Sequence, residues 1–173
     1  YHQHNEYALV GKIINDLNTK DQQIALVSDA GTPGISDPGY LLISKAIEAN
    51  IKVHCLPGPT ALIPALVQSG FPTDEFLFIG FLPHKKGRQK KLKEIAQIQT
   101  TIVLYESPHR ILKLIEEIAI YFNKERTISV SKEITKIHET NYRGTTQELI
   151  NIFSSIVIKG EYVVVIGKNK TKK

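Results

Sequence analysis

The stretch SDAGTPGISDPG, Ser28–Gly39, decides how this chain is read. It follows the apolar run Ile24–Val27 and precedes an amphipathic pattern from Tyr40 onward. That is a strand-to-helix crossing, the place where an open α/β sheet leaves a crevice at its strand ends. Three glycines and two prolines force a tight backbone path, and Asp29, Ser36 and Asp37 line it with polar groups. Two readings stay open for the aspartates: they cap the turn and the next helix, or they contact a small molecule. The loop is neither a dinucleotide fingerprint nor a Walker loop, since GxGxxG and GxxxxGK[ST] are absent.

Working outward, PGPTA at Pro57–Ala61 repeats the arrangement. It follows the apolar run Ile51–Leu56 and opens a helix expected to begin near Thr60. Helix starts leave unpaired amide donors, so Thr60 either caps them or meets a carboxylate, ribose or phosphate. Two such loops at successive strand ends would face one crevice. The surrounding periodicity predicts helices at Glu6–Leu17 and Tyr40–Glu48 and strands at Gln23–Val27 and Ile51–Leu56. Strand, loop and helix in that alternation indicate a parallel sheet with short connections.

Near FPTDEF, Phe71–Phe76, the pattern changes, and Pro72 with Asp74 suggests a linker to a second unit. The expected domains are therefore 1–72, 73–167 and a basic tail at 168–173. The second unit is predicted to contain strands at Phe76–Phe81, Thr101–Tyr105, Arg126–Lys132 and Glu161–Ile166. Helices are predicted at Lys85–Gln97, His109–Tyr121 and Thr146–Ser154. Lys85, Lys86 and Arg88 cluster at one turn, and His109 and Arg110 at another. These groups suit phosphates, while the arginines equally suit structural pairs with Glu106 or Glu133. Phe78, Phe81 and Tyr105 read as core.

Composition narrows the classes. A chain of 173 residues with 42% hydrophobic content can bury one medium core or two small ones. Its only cysteine, Cys55, cannot form an internal disulfide and is expected as a buried thiol in a reducing compartment. No run of 18 apolar residues and no secretory leader is present, which points to a cytoplasmic protein off the membrane. The net charge of +5 permits a polyanionic partner. No metal site is expected: His2 and His4 alternate at the terminus, and His54, His84, His109 and His138 lack partners at ligand spacing. A nucleophilic triad is unsupported, as GxSxG does not occur. With no Met and an opening that runs straight into a helix, the chain is expected to be a fragment lacking its upstream part.

Six motifs, in order, then carry a resemblance: SDAGTPGISDPG at Ser28–Gly39, PGPTALIPALVQSG at Pro57–Gly70, FIGFLPHKKGRQ at Phe78–Gln89, YESPHR at Tyr105–Arg110, SKEITKIHE at Ser131–Glu139 and KGEYVVVI at Lys159–Ile166. Together they resemble the RsmI family of bacterial 16S ribosomal RNA ribose 2'-O-methyltransferases, within the tetrapyrrole-methylase fold group. The resemblance implies an α/β fold with two α/β domains around an S-adenosylmethionine cleft, the first domain incomplete here, in a homodimer. It implies methyl transfer to the ribose 2'-hydroxyl of a cytidine in 16S rRNA of the small subunit, without a metal. Family members begin with a strand, a proline-containing loop and an acidic, threonine-rich segment, so the fragment would lack part of both sites and need not be active alone.

Carried over by resemblance, Asp29, Gly31, Pro33, Ser36 and Asp37 would border the methionine and sulfonium end of the cofactor. Pro59, Thr60 and Ala61 would line the opposite wall, and Tyr105 would approach the adenosine or the substrate. Lys85, Lys86, Arg88, His109, Arg110 and Lys132 would face RNA. Lys132 or Glu133 would assist the 2'-hydroxyl in losing its proton, or else pair to dock the two domains. Two other readings remain: a methylase of the same fold acting on a tetrapyrrole, and a non-enzymatic RNA-binding module. A titration with S-adenosylmethionine separates the methylase from the module.

Overall fold

A computed structural model describes residues 5–20 and 22–168. His2, His4 and positions 169–173 of the basic tail lie outside the described residues. The chain divides into two compact units, Tyr1–Thr60 and Ala61–Lys173.

In the first unit, helix α1 spans Glu6–Thr19 and helix α2 spans Tyr40–Glu48. The two helices pack on each other, burying Val10 of α1 and Leu42 and Ala46 of α2. The expected strands at Gln23–Val27 and Ile51–Leu56 are not formed: both segments lie outside any helix or strand. A strand exists only when a neighbour completes its hydrogen-bond ladder, and no described residue does so here. Val27 and Leu56 are consequently 80% and 82% exposed despite their apolar character. Cys55 is exposed for the same reason, contrary to the buried thiol expected from its apolar surroundings.

The second unit begins with helix α3, Leu62–Ser69. It then runs through strand β1, Phe76–Phe81, helix α4, Arg88–Ile95, strand β2, Thr101–Glu106, and helix α5, Ile111–Tyr121. Strands β3, Thr127–Lys132, and β4, Thr140–Thr145, precede helix α6, Thr146–Ser155, and strand β5, Tyr162–Ile166. The five strands form one sheet in the order β1-β2-β5-β3-β4. Only β1 and β2 are parallel, joined by the α4 crossover; the remaining pairs are antiparallel. The sheet is thus mixed, with a single βαβ unit at one edge.

Alternation along the strands builds two cores. Ile102 and Leu104 of β2, Ile128 and Val130 of β3, and Tyr162, Val164 and Ile166 of β5 face one side with α4, α5 and α6. The intervening Val103, Val163 and Val165 face the other side with Leu62, Ala65 and Leu66 of α3. This period of two is what a sheet covered on both faces requires. It also explains why the division falls at Thr60/Ala61, ahead of Pro72: α3 supplies the cover for the second face of this sheet.

Strand β4 lies at the sheet edge and is the one strand that periodicity did not predict. Its sequence, TNYRGT, is mostly polar, and none of its residues is buried. Polar residues suit an edge strand but leave no hydrophobic signal to read. Helix α6 follows it directly through a capping box. Thr145 Oγ1 accepts from the Glu148 N–H at 3.2 Å, and the Glu148 carboxylate accepts from the Thr145 N–H at 2.7 Å.

Candidate functional site

In the first unit the two glycine- and proline-rich loops meet. Thr32 Oγ1 donates to the Pro59 carbonyl at 3.0 Å, and a Cβ on Gly31 would lie 3.8 Å from that same oxygen. The expectation that both loops serve one place therefore has a physical link, made by a threonine that was not singled out from the sequence. Only its position between Gly31 and Pro33 inside the motif marked it. Ser28 Oγ closes the start of the loop by donating to the Gly31 carbonyl at 2.9 Å.

The far end of the loop is fixed by Gly39. Its N–H donates to Glu6 Oε1 at 3.2 Å and its carbonyl accepts from Ile43. Its φ is 143°, and an added Cβ would sit 2.9 Å from Leu26 Cδ2, so glycine is required there. Ser36 also has a positive φ, 62°, an uncommon choice for a residue with a side chain.

Asp29 and Asp37 are exposed, and neither caps α2, whose N-cap is Gly39 without a side-chain bond. Of the two readings left open, capping of that helix does not occur. Both carboxylates are instead available to accept hydrogen bonds from a ligand's ammonium or hydroxyl groups, the donors that an amino-acid end presents. Pro33 is half-buried, while Pro59 is exposed and Thr60 half-buried. Ala61 is the N-cap of α3, whose first residue, Leu62, lies two residues after the start expected near Thr60.

In the second unit the basic turns separate into free and committed groups. Arg88 is 3% exposed and is not an RNA-facing residue. Its Nε donates to both Glu117 carboxylate oxygens at 3.1 and 2.9 Å, and its Nη1 donates to the Pro83 carbonyl at 3.2 Å. Glu106 Oε2 adds longer contacts at 3.5 and 3.4 Å. Burial would lower the Arg88 pKa, but the Glu117 bonds and the charges of both glutamates outweigh it and the net direction is upward.

Arg110 is also drawn inward, its Nη2 lying 2.7 Å from Glu106 Oε1 and its Nε donating to Ser107 at 3.3 Å. The structural alternative for the arginines, with Glu106 as the shared partner, is what the structure contains. Their motif position at turns was misleading because a buried carboxylate on β2 captures both. The side chains of Lys85, Lys86 and His109 are exposed and make no hydrogen bond or ion pair among the described residues. Tyr105 is half-buried, with edge-on contacts to the rings of Phe78 at 5.0 Å and Phe81 at 5.7 Å, so it serves the core as its apolar neighbours suggested.

Lys132 ends β3, opposite Thr140 on one side and Tyr162 on the other. The next residue, Glu133, turns with φ 52° and Thr135 with φ 65°. Glu133 Oε1 accepts from the Glu161 N–H at 2.8 Å and from Lys136 Nζ at 3.0 Å. The Glu161 amide first, then Lys136, hold its carboxyl below the ordinary carboxylate range. A carboxylate so held is a weakened proton acceptor, so Glu133 is better placed as a clamp on the turn than as a base. Lys132 and Glu133 line an open hollow of about 260 Å³ together with His138, Val157, Lys159 and Gly160. His138 was weighed from the sequence only as a metal ligand, and neither it nor Lys159 was expected as a site residue; their presence in the motifs SKEITKIHE and KGEYVVVI was the signal.

The sequence model of the family described as tetrapyrrole (corrin/porphyrin) methylases matches residues 3–150. A protein of Synechocystis sp. named ribosomal RNA small subunit methyltransferase I is 47% identical over 168 residues, covering 96% of this chain and 60% of the relative. The protein of that name from Hydrogenobaculum sp. is 44% identical, covering 99% of this chain and 74% of the relative. The chain spans about 60% of the length of the Synechocystis relative and 59% of that from Halalkalibacterium halodurans. Among solved structures, the methyltransferase CobJ is similar with a TM-score of 0.69 and 18% identity, over 97% of this chain and 73% of that one. A Thermus thermophilus uroporphyrin-III C-methyltransferase complexed with S-adenyl homocysteine has a TM-score of 0.63 at 14% identity, over 95% of this chain and 73% of that one. At these identities the structures show the fold alone.

Proposed function

The chain belongs to the tetrapyrrole (corrin/porphyrin) methylase family, and from that membership we propose that its parent protein methylates ribosomal RNA of the small subunit. The observation that carries this reading is the 47% identity with a ribosomal RNA methyltransferase across 96% of the chain. The acceptor in this reading is a cytidine ribose 2'-hydroxyl, and the donor is S-adenosylmethionine. The tetrapyrrole reading has less support, because the tetrapyrrole-acting relatives in the comparison are solved structures of low identity.

When bound, S-adenosylmethionine supplies an electrophilic methyl group. The chain's own contribution is alignment and proton handling. Asp29 and Asp37 receive the ammonium end, on a loop whose path is set by Gly31, Pro33, Ser36 and Gly39 and braced by Thr32 against Pro59. Thr60 and Ala61 follow that brace. Lys132 supplies positive charge beside the 2'-hydroxyl and so favours passage of its proton to solvent water as the oxygen takes up the methyl group. Lys85, Lys86 and His109 meet flanking phosphates. Arg88 and Arg110 hold the second unit's frame, and Tyr105 backs it.

The same reading makes the parent protein a cytoplasmic homodimer. The test is methyl transfer from labelled S-adenosylmethionine to small-subunit RNA by the full-length parent, with the modified position mapped. Label on a ribose 2'-oxygen supports the proposal. RNA binding by a folded parent that neither binds S-adenosylmethionine nor transfers methyl would replace it with the binding-module reading.

A further inference from the structure

The hollow bounded by Lys132, Glu133, His138, Val157, Lys159 and Gly160 lies wholly within the second unit. At about 260 Å³ it is below the roughly 300–1,000 Å³ of pockets that enclose a whole small molecule. It suits one chemical group of a larger ligand.

Its charge is arranged for an anion. Glu133, the carboxylate in the wall, is engaged by the Glu161 amide and by Lys136, and Lys136 is further tied to Glu161 at 2.9 Å. Glu139 is likewise occupied by the Thr135 N–H at 2.6 Å and by Gln68 at 3.0 Å. By contrast, Lys132 and Lys159 have no carboxylate within ion-pair distance among the described residues. Lys132, Lys159 and His138 all line the hollow, Lys132 within electrostatic reach of Glu133 and Lys159 with no carboxylate beside it among the described residues. Gly160 makes the arrangement possible: with φ +90°, its missing Cβ leaves the space that Glu133 Cγ and Cδ occupy, 2.7 Å from where that atom would be.

The rim adds a second chemistry. Val157, which lines the hollow, is 74% exposed. An anion alone has no use for an apolar rim. An RNA strand presents both phosphates and apolar base faces.

We propose that this hollow binds one backbone phosphate of the RNA substrate through Lys159 and His138, next to the ribose that Lys132 faces, with Val157 against the adjoining base. This rests on the RNA-methyltransferase reading and adds to it the residues that set the strand's register. A seated phosphate fixes which neighbouring hydroxyl reaches Lys132, so the site positions the substrate.

The experiment is a fluorescence titration of the 173-residue chain with a labelled single-stranded segment of small-subunit RNA, repeated across salt concentrations. Lys159→Gln and His138→Gln are compared with Lys113→Gln, an exposed charge change on α5. The expected result is a severalfold weakening for Lys159→Gln and a salt slope shallower by about 0.7, the value for one lost phosphate contact on a single strand. His138→Gln weakens binding in the same direction, and Lys113→Gln leaves it near wild type. Equal small losses in all three variants, with wild-type binding intact, would overturn the hollow while leaving the RNA reading standing. No RNA binding by the wild-type chain or by its full-length parent sinks both. Binding of polyglutamate at the hollow in place of RNA also overturns the proposal, because the partner is then an acidic chain.

Discussion

Arg88 on α4 and Glu117 on α5 form a buried two-point pair, Nε donating to the two carboxylate oxygens at 3.1 and 2.9 Å. It joins the crossover helix of the βαβ unit to its neighbour, and Glu106 at the end of β2 completes the charge balance. A basic residue in a turn that otherwise reads as a phosphate grip is therefore part of the frame.

Removing one partner of a buried pair strands the other charge. Arg88→Ala is expected to lower the unfolding free energy of the second unit by about 3–5 kcal/mol. Urea denaturation checks the loss. The fraction that remains folded should bind RNA as the unaltered chain does, because the guanidinium is buried.

Lys85 and Lys86 should behave in the opposite way. Both are exposed and uncommitted, so replacing both by Gln is expected to leave the denaturation midpoint within experimental error. RNA affinity should fall, with the salt slope shallower by about 1.4 if each contacts one phosphate. An unchanged slope would place RNA elsewhere.

The Thr32 brace offers a test confined to the cofactor loops. Thr32→Val keeps the shape and removes the donor to Pro59. Loss of one such bond corresponds to about 0.5–1.5 kcal/mol, or roughly 2- to 12-fold weaker S-adenosylmethionine binding by the parent protein. Calorimetric titration measures it, and RNA affinity measured alongside should not move.

Acid stability follows in part from three of the four carboxyls held below the ordinary range among the described residues. Backbone amides are the leading cause in each: Glu161 N–H for Glu133, Thr135 N–H for Glu139 and Thr145 N–H for Glu148. With folded pKa values lower than unfolded ones, these groups contribute stability above the ordinary carboxylate range and lose it as pH falls through their folded values. Unfolding midpoints should be flat near neutrality and drop in acid. The Glu133→Gln variant should show a shallower drop.

How far the sequence could be read depended on whether a residue's partner was local. The α2 and β1 bounds, Tyr40–Glu48 and Phe76–Phe81, follow from periodicity because each element carries its own apolar face. The turn at Ser28–Gly39 was legible through its glycines and prolines, whose backbone preferences are intrinsic. The strands expected at Gln23–Val27 and Ile51–Leu56 were not realised, since a ladder needs a second segment. Polar β4 escaped notice because an edge strand needs no hydrophobic alternation.

The sequence by itself determined the helices, the α/β character, the two glycine- and proline-rich loops and the family, all properties carried by short-range pattern or motif. Only the tertiary structure decided that Thr32 joins the two loops, that Arg88 and Arg110 turn inward to Glu106, and that Lys132, His138 and Lys159 share one hollow. Those relationships depend on distances between residues far apart in the chain, and a side chain's charge is useful to a ligand only when folding has left it without a partner.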